Sequence, residues 1–348
     1  MSIRNAAFNP AATRRLGRTC VDLSLLGFGG TATGRFVPDF TEADAAAILD
    51  AAWTRGLRYF DTSPFYGLGL SEHRMGAYLR HQPRDAFVLS TKVGRLLRPG
   101  TEAAIARPES LPFDTRFDYS YNGTMRSVED SLQRLSLARI DLLILHDLSP
   151  RWHGDALEAR YAEAMAGAHR ALVELRDQGV VRAIGVGVND VAVCARCLTD
   201  GDFDFFMLAG RLTLLDHTGL PGLLDACAQR GVAVLAAAPF NSGILATGAV
   251  PAARYFYAPA DASLMDRTRA IETICRTHDV PLGAAALQFA LAHPAVTSVV
   301  PSFRSLDEFA EVCAWLQTPI PPALWKDLHG AGLLQWHPAS ALAAVSTQ

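Results

Sequence analysis

Gly56-Leu57-Arg58-Tyr59-Phe60-Asp61-Thr62-Ser63-Pro64-Phe65-Tyr66-Gly67 is a short apolar run that ends abruptly in a polar cluster. Before it lies a stretch of helical period, Glu42–Arg55, opened by Thr41, a good capping residue, and closed by Gly56, where a left-handed residue is expected. A second helical stretch, Glu72–Leu79, follows Ser71, another N-cap type. Helix, short strand, helix is the unit of a parallel sheet with helical crossovers.

The unit recurs along the chain. Apolar runs occur at Leu23–Gly29, Leu57–Phe60, Ala86–Leu89, Leu142–Leu145, Ala183–Val188, Phe203–Leu208, Val232–Ala238 and Val296–Val300. Between and after them stand helical stretches at Met125–Leu137, Tyr161–Asp177, Val191–Leu198, Leu223–Gln229, Met265–Thr277 and Leu306–Leu316, with Gly179 and Gly231 as further helix ends. Eight such units suit a closed (β/α)8 TIM barrel of the α/β class, about 250 residues plus insertions. An open dinucleotide-binding sheet would carry G-x-G-x-x-G after its first strand. Leu26-Gly27-Phe28-Gly29-Gly30 lacks that spacing, and Gly185-x-Gly187 reads as close packing at a strand end.

One barrel domain is therefore expected, spanning about residues 16–316, with a C-terminal helix and tail over 317–348. Arg15–Leu23 is expected to form an N-terminal β-hairpin closing the barrel bottom. Two stretches, Arg95–Asn122 and Ala246–Ser263, exceed ordinary connections and are read as long binding loops over the C-terminal face.

Composition narrows the function. The 348 residues are half apolar, and 32 Lys and Arg against 35 Asp and Glu give a net charge of −3 without a basic block, which argues against a nucleic-acid partner. The longest apolar stretch, Val232–Phe240, is far short of the roughly 20 residues needed to span a membrane. Met1–Leu16, with Arg4, Arg14 and Arg15, has no apolar core of a secretory signal, so a cytoplasmic location is the default expectation. Cys194-x-x-Cys197 lacks the second pair of a zinc site, and is read as two cysteines one helical turn apart; no metal is expected. No heptad or repeat suggests an oligomeric state.

In a (β/α)8 barrel, chemistry sits on residues that directly follow the strands. Those are Asp61 with Tyr66 close behind, Lys92 after Val88-Leu89-Ser90-Thr91, His146 after Leu142–Leu145, and Asn189, Arg211 and Ser302 at later strand ends. Lys92 has no acidic neighbour in sequence, and a buried ammonium needs one in space. Asp61 can supply it. A tyrosine, with a pKa of about 10, becomes a useful proton shuttle when a nearby ammonium lowers that value. Tyr66 beside Lys92 is expected to be such a group, with His146 orienting the reacting oxygen.

Asp61-Thr62-Ser63-Pro64-Phe65-Tyr66-Gly67 with Glu72, Ser90-Thr91-Lys92 and Leu143-Ile144-Leu145-His146 resembles the signature of the aldo-keto reductase superfamily. Arg126-Ser127-Val128-Glu129, Ser131-Leu132, Arg134-Leu135 and Ile140-Asp141 resemble the helix leading into its fourth strand. The resemblance implies a barrel binding an extended nicotinamide cofactor and a catalytic tetrad of Asp61, Tyr66, Lys92 and His146. It further implies cofactor contacts from Gly30, Thr31, Asp61, Asn189, Pro239, Phe240, Ser242, Gly243, Ser302, Arg304 and Glu308. Ala237-Ala238 stand where many members place a tyrosine that stacks on the nicotinamide, which leaves Phe240 as the candidate stacking ring.

Ile184–Asn189, Leu208-Ala209-Gly210-Arg211 and Tyr255–Ala260 look like the aldose 1-dehydrogenase group and its relative pyridoxal 4-dehydrogenase. That likeness implies oxidation of a cyclic hemiacetal such as L-fucose or D-arabinose to its lactone, with Tyr66 taking the proton of the anomeric hydroxyl. The alternatives are a pyridoxal 4-dehydrogenase and an NADPH-dependent aldehyde or ketone reductase. Tyr66, His146, Trp152 and Tyr255 are the expected substrate contacts. Further aromatics on the loops are Phe113, Phe117, Tyr119, Tyr121, Phe256 and Tyr257, with His153 beside Trp152. Ser302 and Glu308 stand where NADP-preferring members commonly carry Lys and Arg. NAD is thus the expected cofactor, with NADP as the alternative should Arg304 bind a 2′-phosphate.

Overall fold

A computed structural model describes residues 8–34, 40–100, 110–336 and 338. Arg4, the 101–109 portion of the first long loop and most of the expected tail fall outside these residues. Fourteen strands are present among them. β1 (Thr13–Arg15) and β2 (Asp22–Ser24) form an antiparallel hairpin. The barrel strands are β3 (Phe28–Gly29), β4 (Tyr59–Asp61), β5 (Val88–Val93), β8 (Leu142–His146), β9 (Ala183–Val188), β10 (Phe205–Ala209), β11 (Ala233–Ala237) and β14 (Val296–Val300).

These eight run parallel in the order β14-β11-β10-β9-β8-β5-β4-β3. Parallel bridges Leu26–Val299 and Gly29–Ser302 join the first strand to the last and close the barrel. The expected (β/α)8 architecture is the observed one. The first apolar run is divided, however: Leu23 pairs with Arg14 in the bottom hairpin, while Leu26 and Phe28–Gly29 join the barrel.

Period-two alternation explains both cores. Tyr59 on β4, Val88 on β5, Leu142 and Ile144 on β8, Ala183 on β9, Phe205 and Met207 on β10 and Ala233 and Leu235 on β11 form one buried cluster inside the barrel. Leu16, Val21 and Leu23 of the hairpin segment join it and plug the bottom, as expected. The alternate residues Phe60, Leu89, Leu143, Leu145, Ile184, Val186, Phe206 and Val234 face the helices in a second, larger core. The same alternation brings Asp61, Lys92 and His146 inward, one layer above the apolar plug.

Local signals held where side chains act on their own helix. Thr41 caps Glu42–Thr54 in a reciprocal box with Asp44, and Gly56, Gly179 and Gly231 adopt φ of 87°, 72° and 66°. Ser71 is not a cap: its helix starts at Leu70 behind Gly69, and the Ser71 hydroxyl is buried against Gly30 O, Thr33 and Thr62. Leu282–Leu291, a helix absent from the periodicity reading, is buried on all sides and so carries no polar face to reveal it.

Both long stretches contain hairpins: β6 (Arg95–Pro99) with β7 (Phe113–Phe117), and β12 (Arg254–Tyr255) with β13 (Ala258–Pro259). The expected C-terminal helix is Pro322–Gly330. Among the described residues, no helix is long and apolar enough to cross a membrane.

Candidate active site

Asp61, Lys92 and His146 converge at the C-terminal mouth. Lys92 Nζ donates to Asp61 Oδ2 at 2.7 Å, to Asp61 Oδ1 at 2.9 Å and to the Thr62 carbonyl at 2.8 Å. This is the partner that an unaccompanied strand-end lysine required. Ser90 Oγ donates to Asp61 Oδ1 at 2.7 Å and lies 3.0 Å from the Tyr59 hydroxyl, so the carboxylate is held from two directions. Burial works against the Lys92 charge, but Asp61 and Tyr66 outweigh it and hold the ammonium above its ordinary value.

The Lys92 nitrogen stands 4.7 Å from the centre of the Tyr66 ring, and the Thr31 and Lys92 side chains both act to lower the pKa of the phenol. Expected was a phenol made more acidic than usual. Burial instead raises Tyr66 above its ordinary value, with the Lys92 charge only partly opposing it. The resting phenol is therefore a proton donor, and becomes a proton acceptor only as the pH climbs.

His146 closes the group. Its ring meets Tyr66 edge-on at 6.3 Å, and its Nδ1 is 3.4 Å from Ser63 Oγ. Burial pushes the imidazole down to about 3, so it is neutral throughout the physiological range. Gly187 makes room for Ile144 beside it: a Cβ there would meet Ile144 Cγ2 at 2.8 Å, with His146 and Lys92 in ordinary contact at 3.9 Å. Beneath the site, fully buried Glu72 accepts from Thr91 Oγ1 at 2.7 Å and pairs with Arg134 at 2.5 Å, fixing the helix Leu70–Leu79 to Tyr121–Leu135.

The expected cofactor contacts divide. Gly30 is explained by packing, because a Cβ there would lie 2.8 Å from the Asp61 carbonyl and 2.6 Å from Ser71 Oγ. Asn189 follows β9, and its carbonyl takes Arg211 Nε at 2.9 Å. Pro239, Ser242 and Gly243 lie on the turn after β11, where Ala238, Asn241, Ser242 and Gly243 all have positive φ. Strain of this kind gathers where a ligand is held, and the buried Asn241 Oδ1 has no partner among the described residues. The Phe240 ring packs edge-on against Trp315, 5.6 Å away in the helix layer. Ser302 borders Gly29 in the closing bridge.

The aromatic contacts divide too. Phe65, Phe117 and Trp152 surround the Arg95 guanidinium, while Tyr119 is buried with its hydroxyl donating to the His146 carbonyl at 2.9 Å. Tyr121 points outward to Glu174. Tyr255 donates to Asp216, which also holds Arg211, and Arg151 lies between the Trp152 and Tyr257 rings, bridging loops from two sides of the mouth. Arg95, Asp147 and Ser63 were missed in the sequence; the Asp directly after His146 was the available signal. Cys194 and Cys197 are buried on Val191–Asp200, and no group of three or more metal-ligating side chains occurs among the described residues.

Residues 25–331 match the family model described as the aldo/keto reductase family. The chain belongs to that family. It is accordingly an oxidoreductase working with a nicotinamide nucleotide, and the strained turn after β11, with its orphaned Asn241 oxygen, fits such a group. The chain is 41 % identical to D-threo-aldose 1-dehydrogenase of Pseudomonas sp, over 89 % of this chain and 94 % of that one. It is 40 % identical to pyridoxal 4-dehydrogenase of Microbacterium luteolum, over 92 % and 97 %. An aldo-keto reductase from Bacillus halodurans in its holo form superposes with a TM-score of 0.75 at 25 % identity, covering 94 % of this chain and 99 % of that one.

Proposed function

We propose that the protein oxidises the ring form of an aldose at its anomeric carbon, giving a lactone, with NAD as oxidant. The observation that carries the chemistry is the buried Asp61–Lys92 pair against Tyr66, beside a neutral His146. Likeness to D-threo-aldose 1-dehydrogenase supports the substrate class. Bound nicotinamide supplies the hydride acceptor.

The chain's own residues handle the proton. His146 hydrogen-bonds the anomeric oxygen and orients it without adding charge. Tyr66, once deprotonated, takes the hydroxyl proton as the carbon–oxygen bond gains double-bond character. Lys92 stabilises the tyrosinate that does so, and Asp61 keeps Lys92 charged and aimed. NAD is favoured because Arg304, the cation nearest in sequence to the β14 turn, is engaged by Glu308. Six unpaired thiols accord with a reducing, cytoplasmic compartment.

Pyridoxal is the second reading, favoured by the 40 % identity to a pyridoxal 4-dehydrogenase and by the flat rings of Phe117 and Trp152. Its aldehyde closes to an internal hemiacetal, so the same proton path would serve. The test is turnover of L-fucose, D-arabinose, L-galactose and pyridoxal with NAD, read as reduced cofactor. Turnover of sugars supports the first reading; turnover of pyridoxal alone replaces it with the second.

A further inference from the structure

Next to the acid–base residues, the turn after β8 holds a second charged pair. Asp147 adopts φ of 57°, a left-handed conformation that costs any residue with a side chain, and its N–H donates to the Gly187 carbonyl at 3.0 Å. Asp147 Oδ2 takes Arg95 NH2 at 2.5 Å. Asp147 Oδ1 accepts no hydrogen bond among the described residues, and lies 3.6 Å from His146 Nε2.

Arg95 cannot let that carboxylate swing. Only 4 % exposed, it is caged by the rings of Phe65, Phe117 and Trp152 at 4.1, 4.1 and 4.3 Å. Its Nε finds no partner among the described residues. A buried guanidinium so placed has one evident task, to fix the direction of Asp147.

His146 Nδ1 is turned to Ser63, which leaves Nε2 for the reacting oxygen. Nε2 and Asp147 Oδ1 stand 3.6 Å apart, so two hydroxyls on adjacent carbons of one substrate can each reach one of them. An ionised carboxylate only accepts, so it reads a hydroxyl and not a carbonyl. We propose that Asp147, aimed by Arg95, accepts a hydrogen bond from the substrate hydroxyl on the carbon next to the reacting one. Asp147 is thereby a specificity residue, selecting hydroxylated substrates over simple aldehydes, and Arg95 is its positioning residue. The inference rests on the aldose reading above.

The test compares kcat/KM for an aldose and its 2-deoxy analogue in wild type, Asp147→Ala and Asp147→Asn. The wild-type preference for the 2-hydroxy sugar falls about tenfold or more in Asp147→Ala, as for loss of a bond to a charged acceptor, and to a smaller extent in Asp147→Asn. Each preference is a ratio within one preparation, so partial misfolding cancels. Preferences equal to wild type, in Asp147→Asn or in both variants, overturn the inference while leaving the aldose reading intact. A wild-type enzyme that turns over no aldose overturns both.

Discussion

Arg304 and Glu308 hold each other twice over: the Arg304 backbone N–H and its Nε each donate to a different Glu308 oxygen at 2.8 Å. They sit at the start of Leu306–Gln317, just after the turn that leaves β14. A guanidinium so engaged is a poor receptor for a phosphate, and the carboxylate beside it repels one. The expected result is a higher kcat/KM with NAD than with NADP. Glu308→Gln frees Arg304 and shifts the ratio toward NADP by about tenfold, equivalent to about 1.4 kcal/mol. A wild-type preference for NADP counts against this account.

Tyr66→Phe removes the only proton carried by the phenol while keeping the ring. Turnover should fall at least about 100-fold, with nucleotide affinity nearly unchanged in a fluorescence titration. A variant that keeps a tenth of the wild-type kcat would show that the proton travels by another path.

The raised Tyr66 value fixes the sign of the pH dependence. On the proposed proton path, oxidation needs the deprotonated phenol, whose fraction grows about tenfold per pH unit below its pKa, so oxidation should accelerate from neutral into alkaline pH. Reduction uses the protonated phenol and stays level across the same range. His146, down at about 3, adds no inflection near pH 6.5 to either profile. Lys92→Met moves the alkaline rise to higher pH, since the charge opposing burial is gone. pH–rate profiles in both directions test all three statements.

Two buried imidazoles make stability fall in acid. His146 lies at about 3 and His217 at about 4, against about 6.5 for an exposed histidine. Between those values the unfolded chain binds protons that the folded one does not. Their contribution is complete above about pH 6.5 and is lost as the pH drops toward 4. Tm should therefore decline from pH 7 to pH 5, and His217→Leu should flatten the decline. An identical slope in that variant would assign the effect elsewhere.

Gly187→Ala drives a methyl group to 2.8 Å from Ile144 inside a filled barrel. The expected costs are about 1–3 kcal/mol of stability and a loss of kcat larger than any change in nucleotide affinity, because His146 and Lys92 line the same space. Chemical denaturation and steady-state kinetics on one preparation separate the two effects.

The barrel and the Asp61, Lys92, His146 set were legible because each follows an apolar run and alternation alone decides that it faces inward. β9 and β14 fall on the expected residues for the same reason. What stayed hidden depends on three-dimensional surroundings. The direction of the Tyr66 shift is set by burial, which no neighbour in sequence reports. The neighbour of Phe240 was equally hidden, because Trp315, which packs edge-on against it, lies 75 residues further along. Ser71 has the chemistry of a cap, but its hydroxyl is claimed by Gly30, Thr33 and Thr62 from other segments. The Arg95–Asp147 pair joins residues 52 apart, and neither is unusual alone.

The stopper that Leu16, Val21 and Leu23 insert beneath Tyr59 and Leu142 completes a barrel already filled by its own strand side chains. Nothing passes through it, so both reactants come and go by the same doorway.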